Sequence, residues 1–348
     1  TLFLIILIIG GLGFVNFQYS KNNPGGNDFL VHYIGTRSLI YENISPYSDA
    51  VAQKIQIAAY GHPAQGIEHE LRVAYPLYSI FLFAPFSLIN DYVVARAVWM
   101  TILEIALIVI TFQTFQIFDW KPDLKIQAGL LLFSIIWYHA VRGIINGNAI
   151  ILITLLITSA FIAIKKNRDS LAGLLLAITT IKPHMVILLI PFIVIWSIYH
   201  GRRKLILWFI GSLAFLIFLG WIIIPDWIIQ NLWEVIKYPE YNPAGTLASA
   251  IAEWIPVLEN QLKWGIAAIF GLILVFEAWR ARNKYLKHYL WTSSVVILIN
   301  QWIGIQTDPG NFVLLFPVII LIVSVLDKKW KERGNQITSF VLSLFFVI

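Results

Sequence analysis

Apolar runs near the twenty residues that cross a bilayer as helix recur along the whole chain, separated by short polar or basic connections. They are too long and too numerous to be strands of a lipid-facing barrel, so the pattern predicts an all-α polytopic membrane protein of about 11–12 membrane segments. The expected spans are 1–18, 73–90, 92–118, 126–140, 148–164, 171–199 (a hairpin), 205–224, 264–281, 289–306, 311–326 and 336 to the end. Residues 20–72 read as a first outer loop carrying interfacial helices, residues 225–262 as a second, and the whole of 1–348 as one transmembrane domain. The opening run lacks a basic leader and a small-residue cleavage site, so it reads as a membrane helix and not a signal peptide. Because the chain begins and ends inside apolar runs, it is expected to be a piece of a longer protein.

The polar connections set the orientation. Four of them are rich in Lys and Arg: "KKNR" at 165–168, "GRRK" at 201–204, "RARNKYLK" at 280–287 and "KKWKER" at 328–333. All four should face the cytoplasm. Residues 171–199 then have both flanks on one side, yet 29 residues are too few for two crossings and a turn. The segment should enter the membrane and return, with "IKPH" at 181–184 near its far end. Simple alternation from an outer 20–72 loop puts "KKNR" outside, so one segment between 90 and 150 must also be re-entrant. The short stretch 126–140 is the candidate.

Composition narrows the chemistry. The chain is 59% hydrophobic and 13% charged, with a net charge of +6 whose basic residues cluster in loops. That distribution reflects membrane orientation and argues against a nucleic-acid partner. With no cysteine, thiol nucleophiles and disulfides are excluded. P-loop, GxGxxG, GxSxG and DxD motifs are absent, as is any His/Glu cluster with metal-ligand spacing, so no cofactor is expected.

Some polar residues stand out against this background. Asp28, His32 and Thr36 fall at i, i+4 and i+8, one polar stripe of a helix starting near Asn27. Such a helix would lie at the membrane surface, one face in lipid or protein and the other toward a cavity. Asp28 is equally suited to capping that helix, at its positive end, or to catalysis. Tyr75-Pro76 opens the next apolar run, and Ala84-Pro85 lies inside it. Arg142, Asn146, Gly147 and Asn148 gather between two apolar runs, where each taken singly reads as a polar surface turn. Lys182, beside Pro183 and His184 inside an apolar hairpin, is costly unless it binds something anionic. Asp308 and Asn311, in "QTDPGN", have ordinary turn chemistry.

Taken in order, these pieces resemble the polyprenol-phosphate-dependent glycosyltransferases of family 87, membrane enzymes of GT-C architecture that include bacterial α-mannosyltransferases. The family pattern of an acidic "DF" leading to "PY" is matched by Asp28-Phe29 through Pro46-Tyr47. Its "YPP"-like start is matched by Tyr75-Pro76, its "GQxN"-like turn by "NGNA" at 146–149, and its "AGLLLA…KP" by Ala172-Gly173 through Lys182-Pro183. There are departures. Leu77 stands where a second proline is usual, the outer loop reads "YNPAGTLAS" where the family often has an "NQS"-like stretch, and "TDPGN" replaces a Trp and His pair at the late tip.

The resemblance implies inverting transfer of a hexose, mannose by family default, from a polyprenyl-phosphate sugar to a hydroxyl of a lipid or glycan acceptor. It implies a site on the outer face of a bacterial or archaeal plasma membrane, among membrane lipids and with no metal. Asp28 would be the general base. Lys182, helped by Arg142 and His184, would meet the leaving phosphate, with His32, Asn146, Asn148, Tyr75, Asp308 and Asn311 as further substrate-binding groups. Two rival readings remain from the sequence. One is a non-enzymatic membrane subunit or transporter that kept the scaffold; the other is a polysaccharide polymerase or ligase.

Overall fold

The computed structural model describes residues 2–241, 246–283, 286–303, 308–329 and 343. The last expected span, from 336 onward, lies outside the described residues, as do parts of the "YNPAGTLAS", "RARNKYLK", "QTDPGN" and "KKWKER" stretches. Among the described residues there are sixteen α-helices and no strand. They are α1 (Leu2–Asn22), α2 (Asn27–Glu42), α3 (Asp49–Tyr60), α4 (Ile80–Ser87), α5 (Tyr92–Ile117), α6 (Leu124–Ile136), α7 (Tyr138–Asn146) and α8 (Ile150–Lys165). The second half adds α9 (Asp169–Thr179), α10 (Leu189–Tyr199), α11 (Arg203–Ile223), α12 (Trp227–Tyr241), α13 (Leu247–Ala252), α14 (Glu259–Ala281), α15 (Leu286–Ile303) and α16 (Phe316–Lys329). The chain is an all-α polytopic membrane protein.

Four helical stretches among the described residues are long and apolar enough to cross a bilayer: Tyr92–Ile117, Arg203–Ile223, Pro256–Ala281 and Pro309–Lys329. Their surroundings differ. Burial covers 56% and 61% of the apolar stretch in the first and last, but only 6% and 0% in the middle two. Those two helices, α11 and α14, present Leu207, Phe215, Trp264 and Leu272 outward. An apolar helix that no protein covers has lipid as its solvent.

The chain forms two compact units, and it passes between them within α5, α7 and α11. The first comprises Thr1–Ala106, Arg142–Ala149 and Phe215–Pro243. In it, the buried Asn16 of α1 donates to Thr101 Oγ1 (3.0 Å) and Glu104 Oε2 (2.9 Å) of α5, polar contacts that hold two apolar helices together. Arg72 makes a bidentate bond to the buried Glu234 of α12 (2.8 and 2.9 Å) and also reaches Asp49 (2.7 Å). The Arg72 guanidinium holds the Asp49 carboxyl below the usual carboxylate range.

Two expectations are corrected in this unit. The run 73–90 is not a full crossing: residues 77–79 form one 3-10 turn, and α4 has eight residues, roughly 12 Å of helix. Pro76 holds the chain extended before it, and the far end is closed by α2, whose Arg37 donates to Ser87 O (2.7 Å) and Tyr33 to Ile89 O (2.7 Å). Nor does α2 lie on a surface with one open face, since His32 and Thr36 are as buried as Phe29, Val31 and Tyr33. Helices α3 and α4 pack on it, and Gly35 lets Val73 come so close that a Cβ would sit 2.7 Å from its Cγ2.

The second unit comprises Leu107–Val141, Ile150–Ala214 and Ala244–Ile348, in its described residues. Residues 171–199 fold as expected into two half-length helices, α9 and α10, of 11 residues each, joined through a 3-10 turn at Pro183–Met185. At roughly 16 Å apiece neither can cross the membrane. Both ends of the hairpin meet at Arg202, which donates to Asn167 Oδ1 (2.6 Å) and Ile164 O (2.8 Å) and pairs with Asp169 (3.2 Å). Gly173 makes the packing possible: a Cβ there would lie 2.4 Å from Leu205 O and 2.7 Å from Phe209 N of α11.

The basic connections assemble at one end of this unit. Arg202 ties "GRRK" to "KKNR", while Lys165, Lys287 and Lys328, from three different connections, line one cleft. The stretch expected at 126–140 is longer and broken. Helix α6 stops at Trp137, whose ψ of 136° is extended, and α7 departs at 45° to end at Asn146.

Candidate active site

In the first unit, the candidate residues are set by how α2 begins. Gly25 and Gly26 have φ of 132° and 81°, and the helix follows at once, with Asp28 half-buried in its first turn. Neither Asn27 nor Asp28 is the cap. Gly26 occupies that position in a left-handed conformation and makes no side-chain cap bond. Asp28 keeps the favourable field of the helix N-terminus.

Behind Asp28, Phe29 is fully buried and stacks on Trp99 (ring centroids 5.3 Å apart) and Tyr92 (5.9 Å). The turn at 146–148 meets the same spot. Gly147 has φ of 71°, and a Cβ on it would lie 2.5 Å from Phe29 Cβ, so only glycine satisfies both the backbone and the approach. Trp99 donates to Gly147 O (2.9 Å). Arg96, also fully buried, donates through Nη1 to Asn23 O (2.7 Å) and through Nη2 to Ile145 O (2.9 Å). Helix α5 thus ties the segment before α2 to the turn after α7. Asp28 is thereby brought near the turn bearing Asn146 and Asn148, and Arg142 lies one helical turn before Asn146 on α7. Arg142 and Asn146 are half-buried and Asn148 is buried.

His32 and Tyr75 form a second cluster. The His32 ring stacks on Phe83 (4.3 Å, 9°) and leans on Tyr75 (4.1 Å, 40°). The Tyr75 carbonyl accepts from Tyr47 Oη (2.7 Å) and Asn231 Nδ2 (3.2 Å), fixing the strand-like segment before Pro76. Burial and neighbouring phenol and carboxylate groups push the Tyr47 hydroxyl above its usual range, so it stays a donor.

The second unit holds Lys182, His184, Asp308 and Asn311. Lys182 is buried at the break of the hairpin and donates to Asn311 Oδ1 at 2.6 Å. Asn300 bridges the break, donating to His184 O (3.0 Å) and accepting from Leu188 N (3.3 Å). Asp308 accepts from Gly310 N (2.7 Å) as the cap of the 3-10 helix Pro309–Leu315, which agrees with its turn chemistry. His139, at the start of α7, brings its Nδ1 to 2.6 Å from Pro309 O and its ring to Phe312 (5.0 Å). Among the described residues, no group of three or more His, Asp or Glu side chains could hold a metal ion.

The sequence reading passed over Arg96, Trp99, His139, Asn231 and Asn300. Arg96 carried a usable signal, a lone arginine within an apolar run. The others depend on contacts made 48 to 170 positions away along the chain, which local pattern does not register.

The model of glycosyltransferase family 87 matches residues 74–303. The chain belongs to glycosyltransferase family 87. Membership makes this membrane protein a glycosyltransferase, with a sugar donor and an acceptor. The matched stretch of this family 87 glycosyltransferase includes Tyr75, Arg142, Asn146, Asn148, Lys182 and His184, and leaves Asp28, His32, Asp308 and Asn311 on either side of it. No curated protein and no solved structure matches the chain.

Proposed function

We propose that this family 87 enzyme transfers a hexose, mannose by family default, from a polyprenyl-phosphate sugar to a hydroxyl of a lipid or glycan acceptor. The transfer inverts the anomeric carbon and takes place at the non-cytoplasmic face of a bacterial or archaeal plasma membrane. What carries the reading is the pinning of the Asn146–Asn148 turn against the first turn of α2, which gives a carboxylate and a set of cationic and amide groups in one unit.

Asp28 takes the acceptor proton as the acceptor oxygen forms its bond to the anomeric carbon. The bond from that carbon to the phosphate oxygen breaks, and its electron pair leaves with the polyprenyl phosphate. A phosphate departs without a proton but gains charge. Arg142 answers that charge electrostatically, and Lys182, helped by His184, is the alternative group for that role. Tyr75 and Asn146, both half-buried, offer polar groups to the sugar, and Asn148 orders the turn. His32 positions Tyr75 through a tilted ring contact, and Asn311 orients Lys182. The late tip lacks the family's Trp and His pair; His139, with Trp137 at 4.7 Å, supplies an imidazole and an indole at Pro309 instead.

The test is transfer from labelled polyprenyl-phosphate mannose by the protein in lipid nanodiscs, comparing wild type with Asp28→Asn. The expected loss is on the order of 10²–10⁴-fold in kcat. A near wild-type rate for Asp28→Asn would refute the base assignment, and no transfer by wild type from any polyprenyl-phosphate sugar would refute the donor.

A further inference from the structure

Within the second unit a cleft of about 730 Å³ opens where three helix ends meet. Its rim carries Lys165 from the end of α8, Lys287 from the start of α15, and Lys328 and Lys329 from the end of α16. Among the described residues, the only acid lining it is Asp119, a largely exposed side chain that pairs with Lys165 at 2.8 Å. Asp327, next to Lys328, points its carboxylate elsewhere and accepts from Trp120 Nε1 at 2.9 Å. The rim is therefore strongly cationic.

Below the rim the cleft is apolar. Leu321, Val325 and Lys328 fall at i, i+4 and i+7 on one face of α16, while Leu290 and Trp291 of α15 form the opposite wall. Trp291 and Val325 are each about half exposed (48% and 47%). From Lys328 to Leu321 the groove runs roughly 10 Å along the helix axis. That is the profile of a lipid at an interface, with charge at the headgroup, an indole at its level and aliphatic walls beneath. A small soluble anion would use the lysines and leave the apolar half unfilled.

We propose that this cleft binds an anionic phospholipid, its phosphodiester between Lys287, Lys328 and Lys329 and its acyl chains in the α15–α16 groove. Lys165 is the back wall, fixed by donating to Gln116 O (2.7 Å) and Ile117 O (3.1 Å) at the end of α5. The site needs neither the sugar donor nor Asp28, and its test is separate from that of the transfer reaction.

The experiment is native mass spectrometry of the purified full chain in detergent, titrated with phosphatidylglycerol, phosphatidylcholine or glycerol phosphate. The variants are Lys287→Gln/Lys328→Gln/Lys329→Gln and the charge-retaining triple substitution of the same positions by Arg. Wild type and the Arg variant should bind phosphatidylglycerol roughly 100-fold more tightly than phosphatidylcholine, and the Gln variant should lose that preference. Equal binding of the two lipids by wild type overturns the proposal, as does a Gln variant that keeps the preference. Glycerol phosphate binding as tightly as phosphatidylglycerol overturns the lipid assignment and leaves a soluble-anion site. An Arg variant that loses the preference along with the Gln variant also counts against it, because charge would then not be the determinant.

Discussion

Lys182 donates a 2.6 Å hydrogen bond to Asn311 across 129 residues of sequence, and both side chains are buried. A charged ammonium at that depth is costly, and an anionic group beside it offsets that cost. If Lys182 meets the leaving phosphate, Lys182→Met should lower kcat by on the order of 10²–10³-fold. Lys182→Arg should rescue little, because a planar forked guanidinium does not reproduce the short ammonium bond to Asn311. Asn311→Ala should lower kcat less than Lys182→Met, since it removes an orienting group and not the charge. Labelled-sugar transfer in nanodiscs reads all three. A Lys182→Met enzyme with unchanged kcat would remove this residue from the reaction.

Gly147 is the second point of leverage. Alanine there meets both a φ of 71° and a Cβ contact of 2.5 Å with Phe29. The strain and the displaced α2 together should cost about 2 kcal/mol or more and reduce transfer as well. Gly66→Ala is the control, with a similar φ of 60° and open space around it, and should cost only about 1 kcal/mol with activity intact. Thermal unfolding and transfer rates of the two variants separate backbone strain from loss of the α2 contact.

How much of this was legible beforehand follows from the range of each interaction. The spans, the hairpin at 171–199 and the shared side of the basic connections depend on runs and charges that sequence displays directly. Lys182 stood out for the same reason, being a charge in an apolar setting. The boundary at 73–90 was misread because hydropathy does not register that Arg37 and Tyr33 end α4 after eight residues. Helix α2 was misread because its apolar and polar residues are both covered, so its pattern carried no surface signal. Asn311 looked like a turn residue and is one; only the fold reveals that it also holds Lys182.

Gly173 should show that small size, and not flexibility, is what the α9–α11 crossing requires. A Cβ at this position meets backbone atoms of Leu205 and Phe209, which cannot rotate away. Gly173→Ala should therefore destabilise by a few kcal/mol, on the order of an overpacked core substitution. Gly129→Ala and Gly211→Ala, both within helices and with nothing within 4 Å of the added carbon, should be neutral or stabilise by up to about 1 kcal/mol. Equal thermal shifts for all three variants would contradict the close crossing.

The Arg72 cluster makes a prediction about both partners and pH. Arg72→Met leaves Glu234 buried without its bidentate partner and should cost about 3–5 kcal/mol, whereas Arg72→Met/Glu234→Met should recover most of that loss. Asp49, the third member, is largely exposed, and its carboxyl is held below the usual range by Arg72. Its contribution is therefore present above the unfolded value near pH 4 and is lost as pH falls through the depressed folded value. Asp49→Asn should flatten the acid limb of the stability curve slightly below about pH 4 and leave neutral pH nearly unchanged, because solvent screens so exposed a pair. Unfolding temperatures of the single and double variants between pH 3 and pH 7 test both halves. A double variant no more stable than Arg72→Met would mean that the buried Glu234 charge is not what the single substitution exposes.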